Sequence, residues 1–149
     1  MSAIEITELR ASDREGWTEL WRLYLEFYET ALPPEIYAQT WARILDPSAP
    51  IYAFGARAEG RLVGITHYLF HEHAWSPKQV CYLQDLYVDA GVRGGGVGKA
   101  LIEAVAQVAR DRDCLRLYWT TKEDNARARR LYDYIAKYNS FIRYDYALG

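Results

Sequence analysis

The chain has 149 residues, half of them hydrophobic, with 18 Lys and Arg against 20 Asp and Glu and a formal net charge of -2. That length suits one compact domain over 1–149 with a full core. The near-balanced charge, with no basic tail or block, excludes a general electrostatic drive towards nucleic acid. No apolar run approaches the roughly 20 residues that span a bilayer, and the start, Met1 to Glu5, has no basic leader, so a cytoplasmic protein without a membrane partner is expected. Cys81 and Cys114 each sit in an apolar run and read as small buried hydrophobes rather than as a disulfide or metal pair.

In chain order, Ile4 to Leu9 predicts a strand, and Ser12-Asp13-Arg14-Glu15 a capping box that opens a helix. Trp17, Leu20, Trp21, Tyr24, Leu25 and Tyr28 recur at helical spacing on one face. Pro33-Pro34 stops that helix and begins a second, which carries Ile36, Tyr37, Thr40, Trp41, Ile44 and Leu45 to Asp46-Pro47. Strands follow at Ile51 to Ala58 and Arg61 to Phe70, joined by a tight turn at Glu59-Gly60. His71 to Lys78 reads as a loop broken by Ser76-Pro77. Gln79 to Val88 is the most strand-like run, a glycine loop succeeds it, and a helix starts near Lys99. Leu115 to Thr121 predicts a strand parallel to the one before the helix. Asn125 caps a last helix running to about Lys137, and Phe141 to Ala147 alternates as a closing strand. This order implies an α/β protein of the α+β type, a central mixed sheet with helices packed on both faces.

Arg93-Gly94-Gly95-Gly96-Val97-Gly98-Lys99, between strand and helix, forms a pyrophosphate cradle: missing β-carbons let a ligand approach the chain, and the helix N-terminus adds unpaired N–H groups and dipole. A nucleotide P-loop would need a glycine where Arg93 stands and a hydroxyl where Ala100 stands. The dinucleotide fingerprint would need a third glycine where Lys99 or Leu101 stands. The pattern that fits is R-x-x-G-x-G on Arg93, Gly96 and Gly98.

With Leu83 to Leu101 around it, and N-x-x-A-x-x-x-Y on Asn125, Ala128 and Tyr132 after one further strand, this segment resembles the acetyl-CoA motif of the GNAT N-acetyltransferase superfamily, histone and polyamine acetyltransferase-like members included. Ala90-Gly91 departs from the proline many members carry there. The resemblance implies a GNAT-like acyl-CoA N-acyltransferase fold and transfer of acetyl from acetyl-CoA to a small-molecule primary amine by direct attack, with no metal. Protein lysine acetylation and non-catalytic acetyl-CoA sensing are the alternatives. It further implies a bulged strand in which Leu86, Tyr87 and Val88 face the pantetheine arm, a pyrophosphate held by Arg93 to Lys99, an Asn125 contact to that arm, Tyr132 as general acid, and a homodimer.

Asp85, a carboxylate in an otherwise apolar strand, is expected to accept the amine proton through water or to bind the cationic amine. Gln84 beside it stands where polyamine-acetylating relatives commonly carry Glu. Tyr28, with Glu26, Phe27 and Glu29, is expected to line the acceptor side. His67, His71 and His73 share a strand spacing but lack a supporting ligand set, so surface or loop positions are expected of them. Arg127, Arg129 and Arg130 suit a solvated helix face or the coenzyme's 3′-phosphate.

Overall fold

The structure, a computed structural model, describes residues 3–149; Met1 and Ser2, part of the start read for a leader, lie outside the described residues. Two compact units follow one another, the first ending at Trp119 and the second covering Thr120–Gly149.

The first unit is built on a sheet in the order β1 (Ile4–Glu8), β2 (Tyr52–Ala58), β3 (Arg61–His73), β4 (Ser76–Val88), β5 (Leu117–Tyr118). β1 to β4 run antiparallel, and β5 joins β4 in parallel through Cys81↔Leu117 and Tyr82↔Tyr118. The mixed sheet and the parallel crossover are as expected.

α1 (Arg14–Phe27) and α2 (Pro34–Leu45) cover one face, where Trp17, Leu20, Trp21, Leu25 and Trp41 pack with Leu9, Ala53 and Ile65. Trp17 is fully buried, its ring 5.1 Å from Trp21 and 5.0 Å from Trp41, so the helical aromatic stripe read in the sequence is a core. α3 (Val97–Asp111) covers the other face, placing Val97 and Leu101 over Ala56 and Val63.

Local chemistry differs from the expectation at several points. Ser12 makes no cap; it lies in a 3-10 turn, Ala11–Asp13, and the Asp13 carboxylate accepts from Arg10 N at 2.7 Å and from the two terminal nitrogens of Arg57 at 2.8 and 2.6 Å. α1 stops upstream of the prolines, because Glu29 turns left-handed at φ 55° and Thr30 N bonds back to Leu25 O. Pro34 instead opens α2, where its missing N–H costs nothing. The Glu59-Gly60 turn forms with both residues at positive φ.

The expected loop over His71 to Lys78 is a continuation of the β3–β4 hairpin, turning at Ala74-Trp75. Pro77 sits one residue into β4, near the strand end, where a missing N–H is tolerated.

The second unit carries α4 (Ala126–Ile135), none of whose residues is buried. Phe141 to Ala147 is not a strand: residues 136–149 have no helix or strand and are exposed throughout. Alternation makes a segment competent to pair, but pairing needs a strand edge, and no described strand takes it.

Candidate active site

The site grows from one irregularity in β4. His67 pairs with Asp85, yet the next residue, Tyr68, pairs with Leu83, so Gln84 is an extra residue bulged out of the ladder. Directly paired residues share a face and neighbours alternate. Leu83 therefore lies with Tyr68 on the α3 side, while Asp85 lies with His67 on the α1 side.

The bulge also decides what β4 shows to its open edge. Before it, Cys81 N donates to Arg116 O at 2.9 Å, across to β5. After it, Asp89 N donates to Val63 O at 2.8 Å, towards β3, so alternation turns the main-chain groups of Leu86 and Val88 to the opposite side. β5 pairs only as far as Tyr82, and beyond it no described strand pairs with the edge of β4 that faces away from β3. Val88 O accepts there from Arg93 Nε at 3.1 Å. The side chains of Leu86 and Val88 pack in the α3-side cluster, whereas Tyr87 packs against the α1 side and carries the Arg93 guanidinium 5.2 Å from its ring centre.

From Asp89 the chain enters the glycine loop. Asp89 is fastened by Gly91 N at 2.9 Å and Arg61 Nη1 at 2.9 Å, and a 3-10 turn over Ala90–Val92 leads to Arg93. Gly94 and Gly96 take φ of 90° and 83°, a conformation that opposes any β-carbon, and a β-carbon at either would meet open space. The first bond into α3 runs from Ala100 N to Gly96 O at 3.0 Å, leaving the N–H groups of Gly96, Val97, Gly98 and Lys99 without an intrahelical acceptor. The Val97 side chain is buried, so only its amide belongs to the cradle. Unpaired main-chain donors at a helix start, beside glycines that leave the adjoining space open, are chemistry for a phosphate group.

On the α1 side, Asp85 is nearly buried, with 12% of its side chain exposed. Its Oδ2 lies 2.8 Å from His67 Nδ1 and 3.3 Å from Trp21 Nε1, and Tyr24 also bonds the carboxylate. Burial disfavours ionisation, but the His67 ring beside the carboxylate, followed by Tyr24 and Trp21, outweighs it, so the carboxyl titrates below the ordinary Asp value. Burial and the neighbouring Asp85 charge push the Tyr24 hydroxyl far above the usual phenol range, keeping it a donor.

Residues 17–134 match the Acetyltransferase (GNAT) family. The chain belongs to the GNAT family. The D-amino-acid N-acetyltransferase HPA3 of Saccharomyces cerevisiae is 37% identical over 136 residues, covering 89% of this chain and 84% of the relative. Thialysine N-epsilon-acetyltransferase of Bos taurus is 38% identical over 71 residues, 48% of this chain and 41% of its own length. The solved ribosomal-protein-alanine N-acetyltransferase from Brucella melitensis has a TM-score of 0.79 at 25% identity, covering 98% of this chain and 100% of that one. Aminoglycoside N-acetyltransferase AAC(6′)-Iy, solved with CoA, reaches 0.86 at 18% identity over 100% and 97% of the two chains, a likeness of fold alone. The protein is an N-acetyltransferase with the GNAT fold.

Within this GNAT chain, Asp85, Leu86, Tyr87, Val88 and the loop from Arg93 to Lys99 are contiguous along β4 and the start of α3. Gln84 is exposed at the bulge. Tyr28 ends α1, its ring 5.0 Å from Tyr24 and 5.1 Å from Phe27.

Asn125 and Tyr132 belong to the second unit. Asn125 stands at the start of α4 but does not cap it: its Nδ2 donates to Thr121 Oγ1 at 3.0 Å, because its backbone, at φ -77° and ψ 69°, departs from the extended geometry usual at a cap. Tyr132 is half-buried on α4. Arg129 is committed to Glu123 O at 2.7 Å.

The surface-or-loop expectation fails for His67. None of the three is in a loop, and His67 is 1% exposed, a core residue between Asp85 and Trp17. His71 and His73 lie on β3, and His71 Nε2 meets the Tyr118 hydroxyl at 3.0 Å. Among the described residues no group of His, Cys, Asp and Glu is arranged to hold a metal ion. Sequence reasoning also missed Tyr24, one helical turn from Tyr28, and the stacked pair Tyr82–Tyr118 with ring centres 4.8 Å apart. The spacing of Trp17, Trp21 and Tyr24 signalled a buried face, and nothing in it distinguished a hydrogen-bonded ring from a packed one.

Proposed function

We propose that the protein transfers acetyl from acetyl-CoA to the primary amine of a small molecule, by direct attack with both substrates bound. The observation that carries this reading is Asp85: a carboxylate kept anionic beside the open edge of β4 is a site for an ammonium group, with the Tyr24, Tyr28 and Tyr82 rings on the same side of the sheet to surround it. The D-amino-acid and thialysine acetyltransferases among the relatives support a small acceptor that carries an amine.

The cradle fits the diphosphate of the co-substrate, since β-carbons at Gly94 and Gly96 would project into open space and four amide N–H groups lack helical partners. Gly94 to Lys99 would hold that diphosphate, with Arg93 and Lys99 adding charge. The main-chain groups of Leu86 and Val88 would align the pantetheine arm, and an amide there would polarise the acetyl oxygen. When bound, acetyl-CoA supplies a thioester whose carbonyl carbon takes the amine nitrogen and whose sulfur departs as a thiolate. Tyr132 Oη is assigned the proton given to that sulfur, on its position in the N-x-x-A-x-x-x-Y motif, and Asn125 a contact to the arm. Gln84 and Tyr28 are assigned to the acceptor. The family match runs from residue 17 to 134, across both units, which supports reading 1–149 as one GNAT domain.

The test is purified protein with acetyl-CoA and a panel of amines, following free thiol. Release that depends on free amino acids or diamines is expected. Release only with lysine peptides would make it a protein acetyltransferase, and tight acetyl-CoA binding with no release would make it a sensor.

A further inference from the structure

His67 is the most deeply buried titratable side chain beside the acceptor carboxylate, and the reaction outlined above leaves it without a task. Its two ring nitrogens have unlike partners. Trp17 Nε1, in a fully buried indole, donates to His67 Nε2 at 2.9 Å. An indole nitrogen can only donate. Nε2 must therefore be bare, and the ring proton must sit on Nδ1, which lies 2.8 Å from Asp85 Oδ2 and donates to it.

A second proton on the ring could enter only at Nε2, against the Trp17 N–H, and Trp17 has no room to withdraw. Its ring is clasped by Trp21 at 5.1 Å, Trp41 at 5.0 Å and Tyr37 at 6.2 Å. His67 thus cannot ferry protons. What it can do is fix one oxygen of Asp85 with an oriented, uncharged donor, while Trp21 and Tyr24 from α1 supply two more. Three donors on one carboxylate stabilise its anionic form and make it a poor base.

Resting on the amine-acetylating function proposed above, we propose that His67 is a positioning residue: locked by Trp17 with its proton on Nδ1, it holds Asp85 as a permanent anion that binds the substrate ammonium and does not accept its proton. The bound ammonium gives one proton to solvent water before its nitrogen can attack; the same anion then favours the positive charge that grows on that nitrogen as it bonds to the acetyl carbon, and a second proton passes to water as the thiolate departs. The groups facing this pair are Tyr82 from β4, Trp17, Trp21 and Tyr24 from α1, Tyr28 at its end, and Tyr37 and Trp41 from α2. None of them is a cation.

Two measurements test this. Long-range proton–nitrogen correlation spectra of the wild-type protein read the tautomer directly and need no turnover. Protonated Nδ1 and bare Nε2 across neutral pH are expected, and an imidazolium or an Nε2–H form overturns the proposal. Failure of the acetyltransferase function would leave that spectrum unchanged, so the two are separable.

The second compares His67→Asn, which can keep an N–H where Nδ1 stood, with His67→Gln, which can keep an acceptor where Nε2 stood but offers Asp85 no donor. His67→Gln should raise the amine KM about tenfold, with the acetyl-CoA KM unchanged, and move the acidic limb of the kcat/KM profile to higher pH. His67→Asn should restore most of the amine KM. Equal amine KM values in the two variants, or an acidic limb that stays in place in His67→Gln, would overturn the assignment.

Discussion

Gly64 offers the sharpest test of how the fold presents the cradle. It lies on β3 opposite Val88, and a β-carbon there would stand 3.1 Å from Val97 Cγ1, 3.1 Å from Leu101 Cδ1 and 3.3 Å from Tyr87 O. The first two atoms belong to the opening turns of α3, and the third is the backbone of β4, so Gly64→Ala can be accommodated chiefly by lifting α3. Overpacking of this kind costs about 1–3 kcal/mol, and the reduced freedom of the unfolded chain returns about 0.4–1 kcal/mol. The net loss of about 1–2 kcal/mol corresponds to a Tm lower by roughly 2–8 °C for a chain of this size. Because Val97 carries the cradle's amides on its own turn, the acetyl-CoA Kd should rise about three- to tenfold in calorimetry, a loss of about 0.7–1.4 kcal/mol. An unchanged Kd together with the lowered Tm would refute the coupling of α3 packing to the cradle, and a wild-type Tm would refute the packing argument itself.

Gly96→Ala, by contrast, meets no atom within 4 Å but must hold φ near 83°. The left-handed strain of about 1–2 kcal/mol should appear as weaker acetyl-CoA binding and a small drop in Tm, measured by calorimetry and thermal unfolding. Asp85→Asn removes the anion but keeps an acceptor, so the amine KM should rise at least about tenfold while the circular dichroism spectrum is retained. Asp13→Ala leaves Arg57, 11% exposed, without its paired carboxylate and should destabilise by about 3–5 kcal/mol in urea unfolding. The hydrogen bond from Arg57 holds the Asp13 carboxyl below the ordinary 3.8 despite its burial. Its stabilisation is therefore complete above that value and lost as pH falls through the folded-state value, so acid unfolding should begin at higher pH in Asp13→Asn than in the wild type.

Much of the first unit was legible because its signals are local and repetitive: the aromatic stripe of α1, the Glu59-Gly60 turn, the glycine loop ahead of α3. The backbone of the glycine loop was legible for the same reason, since its glycines state their own conformational needs. The hydrogen-bonded cluster at Asp85 was not. Trp17, Trp21 and Tyr24 read as core, which they are, but their N–H and O–H groups converge through space on residues 50 or more positions away. His67 was misjudged because its environment is set by partners on α1 and β4, which spacing on β3 cannot reveal. Ser76-Pro77 misled because a proline near a strand end is mild, and Phe141 to Ala147 because alternation is silent about whether a neighbouring edge exists.

The bulge at Gln84 has a consequence for how this strand can vary. Its side chain is exposed and its main chain stands outside the β3–β4 register, so folding places little demand on which amino acid occupies the position. Removing Gln84 would leave Leu83 opposite Tyr68 and Asp85 opposite His67 in an unbroken ladder with every side chain on its present face, so what the extra residue supplies is the break in the β3–β4 pairing itself. Substitution at this point is cheap, whereas deletion closes the bulge.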